Sequence, residues 1–370
     1  MLHGCATPEG TARYAERLRE RTAVEHFRPT VTGLRMSSVG LGTYLGQPDA
    51  ATDAAYEDAV QRALALGCNM IDTAVNYRNQ HSERAVGRAL AHAVRDRLVA
   101  RDEVIVATKG GFLPFDERPP EDLRRWIYEE FIESGLAHPN EFAANYQHCI
   151  APAFLDAMIE RSRHNLDVDT IDIYYVHNPE TQRIGNTHDT FRGRMRAAFN
   201  TLEKAVARGA IAAYGAATWT AFRSPPTAPD YLSLTELVGL AFEVAGEDNH
   251  FAYVQLPYNL MMTEAFGVAN QQVGEGFFSA IAAADQLGLT VVASAALKQG
   301  LLAGPFTTDL SRYLPGLATD TQRALQFARS TPGVTSALVG MSQVAHVEEN
   351  LALAQQSPVN PDIVRELFPD

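Results

Sequence analysis

Asp72, Tyr77, Lys109 and His177 are the four residues whose types, taken together, could handle a proton at a carbonyl group. A phenol with a pKa of about 10 is a poor acid at neutral pH, and a neighbouring ammonium lowers that value by favouring the phenolate. Lys109 can supply the charge, Asp72 can keep Lys109 protonated and oriented, and His177 can donate a hydrogen bond to a substrate carbonyl oxygen and fix its direction. Such a set suits hydride delivery to carbon with proton delivery to oxygen, Tyr77 being the proton donor. Each residue alone has a plainer role: Asp72 and Lys109 as a structural ion pair, Tyr77 as a rim aromatic, His177 as a hydrogen-bonded strand end. Three of them stand at the carboxyl ends of successive apolar runs and Tyr77 lies in the loop after the second, so a parallel barrel would bring all four to one rim.

The elements that must position them alternate as short apolar runs and amphipathic helical patterns, the signature of parallel βα units. The pairs are Ser38–Thr43 with Ala54–Leu66, Asn69–Asp72 with Ser82–Val94, Val104–Lys109 with Phe154–Asn165, and Ile171–His177 with Thr190–Ala207. Then come Ala212–Ala217 with Leu234–Ala245, Tyr253–Leu256 with Gly276–Leu287, Thr290–Ser294 with Thr321–Ser330, and Ser336–Val339 with Val347–Gln355. Eight near-continuous apolar strands, each followed by a helix, predict an α/β fold of the (β/α)₈ TIM-barrel type, buried on both faces of its sheet. An open nucleotide-binding sheet would carry a Gly-rich fingerprint directly after its first strand, and Gly274-Glu275-Gly276, with neither a preceding strand nor a third glycine, reads as a turn and N-cap. The expected organisation is an arm over residues 1–30, with a charged surface helix at Ala12–Thr22, and one barrel domain over residues 31–370. Residues 112–150 interrupt the alternation as a long loop after the third strand. Loops of this length are usually functional or disordered, and Trp126, Tyr128, Phe131 and Phe142 could either close over a pocket or anchor the loop to the barrel rim.

Composition narrows the function classes. The 370 residues are 46% hydrophobic and 20% charged, enough apolar material for a large core and too much for disorder. A net charge of −13 with no basic stripe removes the attraction that drives binding to nucleic acid or an anionic membrane surface. No apolar run reaches membrane-span length and Met1–Gly10 lacks the features of a secretory signal, so a cytoplasmic protein is expected. Cys5, Cys68 and Cys149 form no CxxC pair and read as free thiols, and a dyad of His148 with Cys149 is disfavoured because adjacent residues rarely aim at one another. His81, His148, His177 and His188 show no paired metal-ligand spacing, which argues against a metal site.

The chain resembles the aldo-keto reductase superfamily from about Leu34 to Leu353. The matching pieces are Gly40-Leu41-Gly42-Thr43-Tyr44, Asn69-Met70-Ile71-Asp72-Thr73-Ala74 with Tyr77, Ser82-Glu83-Arg84-Ala85-Val86-Gly87, Ala107-Thr108-Lys109-Gly110 and Ile171-Asp172-Ile173-Tyr174-Tyr175-Val176-His177. The resemblance implies that Asp72, Tyr77, Lys109 and His177 are a catalytic tetrad for reversible carbonyl reduction with NADP or NAD. It also implies cofactor contacts from Gly42, Thr43, Asp72, Thr218, Gln255, Ser294, Leu297, Gly340, Ser342, His346, Glu349 and Asn350. Three positions depart from the family pattern. Ala217-Thr218 stands where a Ser-Asn pair is usual, Ser294 after Ala293 where an aromatic residue stacks on nicotinamide, and Met341 with His346 where basic residues often hold a 2′-phosphate. Tyr44, Trp219 and Tyr258 are expected pocket walls for a small-molecule carbonyl substrate. Two rival readings stay open: a nucleotide-binding sensory or partner subunit with little turnover, and a barrel enzyme that uses the same groups for acid–base chemistry without net redox.

Overall fold

The computed structural model describes residues 1–366, so the last four residues of the unit expected over 31–370 lie outside the described residues. Eight strands run in chain order as β1 (Val39–Gly42), β2 (Met70–Asp72), β3 (Ile105–Gly110), β4 (Ile171–His177), β5 (Ile211–Ala217), β6 (Phe251–Pro257), β7 (Thr290–Ser294) and β8 (Val334–Gly340). Each pairs in parallel with its sequence neighbour, and β8 pairs with β1 through Val339 and Leu41, which closes the barrel. The expected (β/α)₈ architecture is therefore the observed one.

Side-chain parity explains both the apolar runs and the site. Along β3, Ile105 and Ala107 belong to the cluster inside the barrel, while Val106 packs outward against the helices. Along β4, Ile173 and Tyr175 point in, and Tyr174 and Val176 point out. Because successive strand residues face opposite sides, the inward series continues to Lys109 on β3, His177 on β4, Asp72 two residues after Met70 on β2, and Gln255 two residues after Tyr253 on β6. The sequence pattern thus places four polar side chains on the inner surface at one end of the barrel.

The surrounding helices are α1 (Ala50–Ala65), α2 (His81–Arg95), α3 (Pro152–Leu166), α4 (His188–Ala207), α5 (Leu234–Ala245), α6 (Ala280–Gln286), α7 (Asp320–Ser330) and α8 (Val344–Leu351). Local chemistry sets their starts: Asp49, Thr187, Ser233, Ser279 and Thr319 each accept a backbone N–H with the side chain, as N-caps do. The helix expected over Gly276–Leu287 is shorter. Gly276–Ser279 instead pairs antiparallel with Ala269–Val273, and the helix begins only after the Ser279 cap.

The N-terminal helix also differs from expectation, running over Pro8–Arg17 because Thr7 caps it and Pro8 occupies its first turn. Nor is it simply a surface helix, since Tyr14 is buried and its hydroxyl donates to the Leu64 carbonyl at 2.5 Å. A hairpin of Phe27–Pro29 with Arg35–Ser37, which the sequence pattern does not predict, straddles residue 30 and contributes Leu34 and Met36 to the barrel-interior cluster. Among the described residues no helix is long and apolar enough to cross a membrane.

Residues 112–150 form short helical turns at Leu123–Ile127 and Tyr128–Ile132 and a small hairpin of Phe142–Ala143 with His148–Cys149. Of the two roles open to its aromatics, anchoring is the one observed. Phe131 lies 5.1 Å from Trp126 and 5.3 Å from Phe154 of α3, ring centre to ring centre, in a satellite core outside the barrel. Tyr128 is exposed.

Candidate active site

At the carboxyl end of the barrel Lys109 Nζ donates to Asp72 Oδ2 at 2.6 Å and to the Thr73 carbonyl at 2.8 Å, and lies 4.7 Å from the centre of the Tyr77 ring. The other Asp72 oxygen accepts from Gln255 Nε2 at 2.8 Å. Tyr77 packs edge-on against His177 at 5.8 Å and Tyr44 at 5.0 Å. The four residues singled out by type are thus in one cluster, with Gln255 beside them.

Electrostatics assign the protonation states. Burial pushes the Tyr77 phenol up, and the Lys109 ammonium pulls against it without prevailing. The expected lowering of the phenol pKa is therefore outweighed, and Tyr77 stays protonated across the neutral range. Burial works against the Lys109 charge, but the attraction of Asp72 and Tyr77 is stronger in sum and holds its pKa above the usual lysine value. Burial, with Lys109 and His148 nearby, holds His177 well below the usual histidine range, so it is a neutral imidazole.

A cavity of about 710 Å³ opens above this cluster. Asp72, Tyr77 and His177 line it, as do Gly42, Thr43, Thr218, Gln255, Ser294, Leu297, Gly340, Ser342, His346, Glu349 and Asn350, and the expected walls Tyr44 and Trp219. Lys109 sits beneath the lining, covered by Asp72 and Tyr77. Three side-chain oxygens of lining residues are buried without a partner: Asn76 Oδ1 and Thr218 Oγ1 near the tetrad and Asn350 Oδ1 at the far end. Buried polar atoms are normally satisfied, so these three mark positions where a ligand's polar groups can be met.

Tyr258 is a correction. It follows the outward-facing Val254 and Leu256 by parity, so it packs into the outer core, stacked on Phe327 at 5.4 Å with its hydroxyl 3.1 Å from Thr331 Oγ1. Tyr258→Phe should accordingly cost about 0.5–1.5 kcal/mol of stability and leave KM for any substrate unchanged, as paired denaturation and steady-state measurements would check. A several-fold rise in KM would return Tyr258 to the pocket. Met341 likewise is buried and does not line the cavity.

The site includes residues that the sequence pattern does not announce. Phe112, Asn76 and Asn178 also line the cavity. Asn76 and Asn178 adjoin Tyr77 and His177, so adjacency was the available signal for them. From the long loop, His148 Nε2 donates to the His177 carbonyl at 2.6 Å, and this contact exists because position 111 is glycine. With φ of +151°, Gly111 would place a Cβ 2.8 Å from both His148 Nε2 and that carbonyl oxygen. The loop therefore braces the end of β4. The His148–Cys149 dyad, disfavoured from the sequence, is not formed: both His148 ring nitrogens are engaged, by the His177 carbonyl and by Gln182, and burial pushes the Cys149 thiol up to about 12.

Directly after Tyr77, Arg78, Asn79 and Gln80 all have positive φ (48°, 52° and 72°), each a costly conformation for a residue with a side chain. The buried Arg78 guanidinium holds this stretch, bonded to Asp53 and to the Gln47 carbonyl. The loop carrying Tyr77 is thus fixed to the start of α1. Among the described residues no group of three or more His, Cys, Asp or Glu side chains is arranged to hold a metal ion.

Comparison with known proteins finds that residues 38–312 match the family model for the aldo/keto reductase family. The NAD(P)H-dependent D-xylose reductase of Kluyveromyces lactis is 25% identical over 157 residues, covering 42% of this chain and 35% of that protein. The D-threo-aldose 1-dehydrogenase of a Pseudomonas species is 30% identical over 171 residues, 42% of this chain and 41% of its own. The chain therefore spans well under half the length of these two relatives. An uncharacterized oxidoreductase of Bacillus subtilis, YqkF, is 24% identical over 341 residues, 90% of this chain and 92% of that one. Among solved structures, an aldo/keto reductase from Klebsiella pneumoniae in complex with NADP and acetate superposes with a TM-score of 0.61 at 20% identity, covering 93% of this chain and 94% of that one. At that identity the likeness is one of fold.

Proposed function

The chain belongs to the aldo/keto reductase family, and from that premise we propose that it is an NAD(P)-dependent oxidoreductase that reduces an aldehyde, ketone or sugar carbonyl, or oxidises the alcohol, with Tyr77 as the proton donor. The observation that carries this reading is the placement of Lys109 Nζ between Asp72 Oδ2, at 2.6 Å, and the Tyr77 ring, under a cavity that His177 lines. Nucleotide binding alone would not require that set.

The lining fits an elongated dinucleotide. Thr218 and Gln255 would hold a carboxamide near the tetrad, while Asn350 and Glu349 would meet a base at the far end, and the unpartnered oxygens of Thr218 and Asn350 support both roles. When bound, the nicotinamide supplies a hydride. The protein's residues do the rest: the substrate oxygen accepts hydrogen bonds from the Tyr77 hydroxyl and the neutral His177 ring, Tyr77 gives up its proton, and Lys109 stabilises the phenolate left behind. Asp72 holds Lys109 in place. Tyr44, Phe112 and Trp219 exclude water from that end. The same reading takes residues 31–370 as one catalytic unit in a cytoplasmic setting, to which the free thiols of Cys5, Cys68 and Cys149 are suited.

This assignment has a pH signature. In the reducing direction Tyr77 must be protonated, so kcat/KM should be level through neutral pH and fall as pH rises past the phenol's raised pKa, above 10. His177, held neutral, should add no step between about pH 5 and 8. A step near pH 6.5 in rate profiles with a fixed carbonyl substrate would instead make a protonated His177 the donor.

One observation favours a second reading, a nucleotide-binding subunit with little turnover. Ser294, Ala295 and Ala296 form the cavity wall after β7, offering no aromatic surface there for a nicotinamide ring. Micromolar dinucleotide binding without turnover across a broad carbonyl panel would decide for it, and turnover of any panel member would decide against it.

A further inference from the structure

We infer that the far end of the cavity is built for a dinucleotide whose adenine ribose carries a free 2′-hydroxyl, so that this chain prefers NADH to NADPH. The inference rests on the dinucleotide reading above and concerns the end opposite Tyr77. That end is formed by the turn after β8 and the face of α8, through Gly340, Ser342, His346, Glu349 and Asn350. Among the described residues no arginine or lysine lines the cavity.

The cations of the adjoining elements stay outside the lining. Lys298, in the loop after β7, turns its ammonium to Met261 Sδ at 3.6 Å. Arg323 bonds Asp320 and the Leu317 carbonyl, and Arg62 pairs with Glu348. His346, the nitrogen base at this end of the lining, is exposed.

What this end does present is a carboxylate and an unsatisfied amide. Glu349 lines the cavity, and its Oε1 accepts from Thr319 Oγ1 at 2.7 Å. Asn350, 2% exposed, carries a buried Oδ1 with no partner. A ribose hydroxyl can donate to an acceptor of either kind, the way acidic residues in dinucleotide sites choose the unphosphorylated ribose. A 2′-phosphate at neutral pH only accepts, so it finds here only neutral donors, the Ser342 hydroxyl and the Asn350 amide NH2, and it would enter facing Glu349 on a chain of net charge −13. Each charge-assisted hydrogen bond that a phosphate fails to find corresponds to about a 10- to 150-fold loss in affinity.

The test is equilibrium fluorescence titration of the full chain with NADH and, separately, NADPH at pH 8. The expected result is a Kd for NADH at least about tenfold below that for NADPH. Equal affinities, or tighter NADPH, would overturn the inference and leave the proposed activity standing. Failure of both to bind would overturn the activity reading and this inference with it. Placing a cation at this end with Ser342→Arg should improve NADPH binding about tenfold. An unchanged NADPH Kd in the folded variant would overturn the assignment of this end to the ribose that carries the 2′-group.

Discussion

Tyr77→Phe is expected to lower kcat for carbonyl reduction by about 10²- to 10⁴-fold, the range a positioned general acid contributes, with the fold and dinucleotide affinity retained. The ring would keep its edge contacts with Tyr44 and His177 and its place 4.7 Å from the Lys109 ammonium, so only the hydroxyl is removed. His177 remains able to hydrogen-bond a substrate oxygen, and KM should therefore change far less than kcat. Steady-state kinetics, thermal unfolding and the dinucleotide titration should be run on the same preparation. A variant retaining a tenth or more of wild-type kcat would remove Tyr77 from the role of donor. A collapse of dinucleotide affinity would instead place the hydroxyl in cofactor binding.

The barrel was legible because its strands are buried on both faces. Ile171–His177 and Thr290–Ser294 read as near-continuous apolar runs, and the structure has strands over those same residues. The hairpin of Phe27–Pro29 with Arg35–Ser37 was not legible, since two three-residue strands around an uncharged turn have no room to show a period. Gly276–Ser279 misled for the opposite reason: two phenylalanines next to an alanine-rich helix extend its apolar pattern, and only the cap at Ser279 marks the boundary.

The same contrast divides the site. Asp72, Lys109 and His177 were found because they end strands, where position in the sequence fixes position in space. Tyr258 was misplaced because proximity to the end of β6 was weighed without its parity, which turns it outward. His148 and Phe112 act from the long loop, whose path over the end of β4 depends on the close approach at Gly111. The run of positive φ at Arg78–Gln80 has no glycine to announce it and is held by contacts remote in sequence, chiefly Asp53 and Gln47.

Lys109→Met is expected to cost about 3–5 kcal/mol of stability, the usual consequence of removing one partner from a buried ion pair. Asp72 is 4% exposed, and the substitution would leave its carboxylate with the Gln255 amide as its remaining side-chain donor. The pair Asp72→Asn with Lys109→Met removes both charges, keeps an oxygen for Gln255 and should recover most of that loss. Activity should not return, because without the ammonium nothing offsets the charge left on Tyr77 after proton transfer. The pH dependence separates the terms further. Lys109 has a raised pKa in the folded chain, so its contribution is fully present below the ordinary value of 10.5 and is lost as pH rises through the folded value. The stability gap between wild type and Lys109→Met should therefore narrow above about pH 10.5. A double-mutant cycle measured by denaturation alongside kcat isolates the coupling. Recovery of stability without kcat assigns the pair a chemical role beyond its structural one, whereas recovery of both would reduce Asp72 and Lys109 to a buried ion pair and leave Tyr77 without its activating partner.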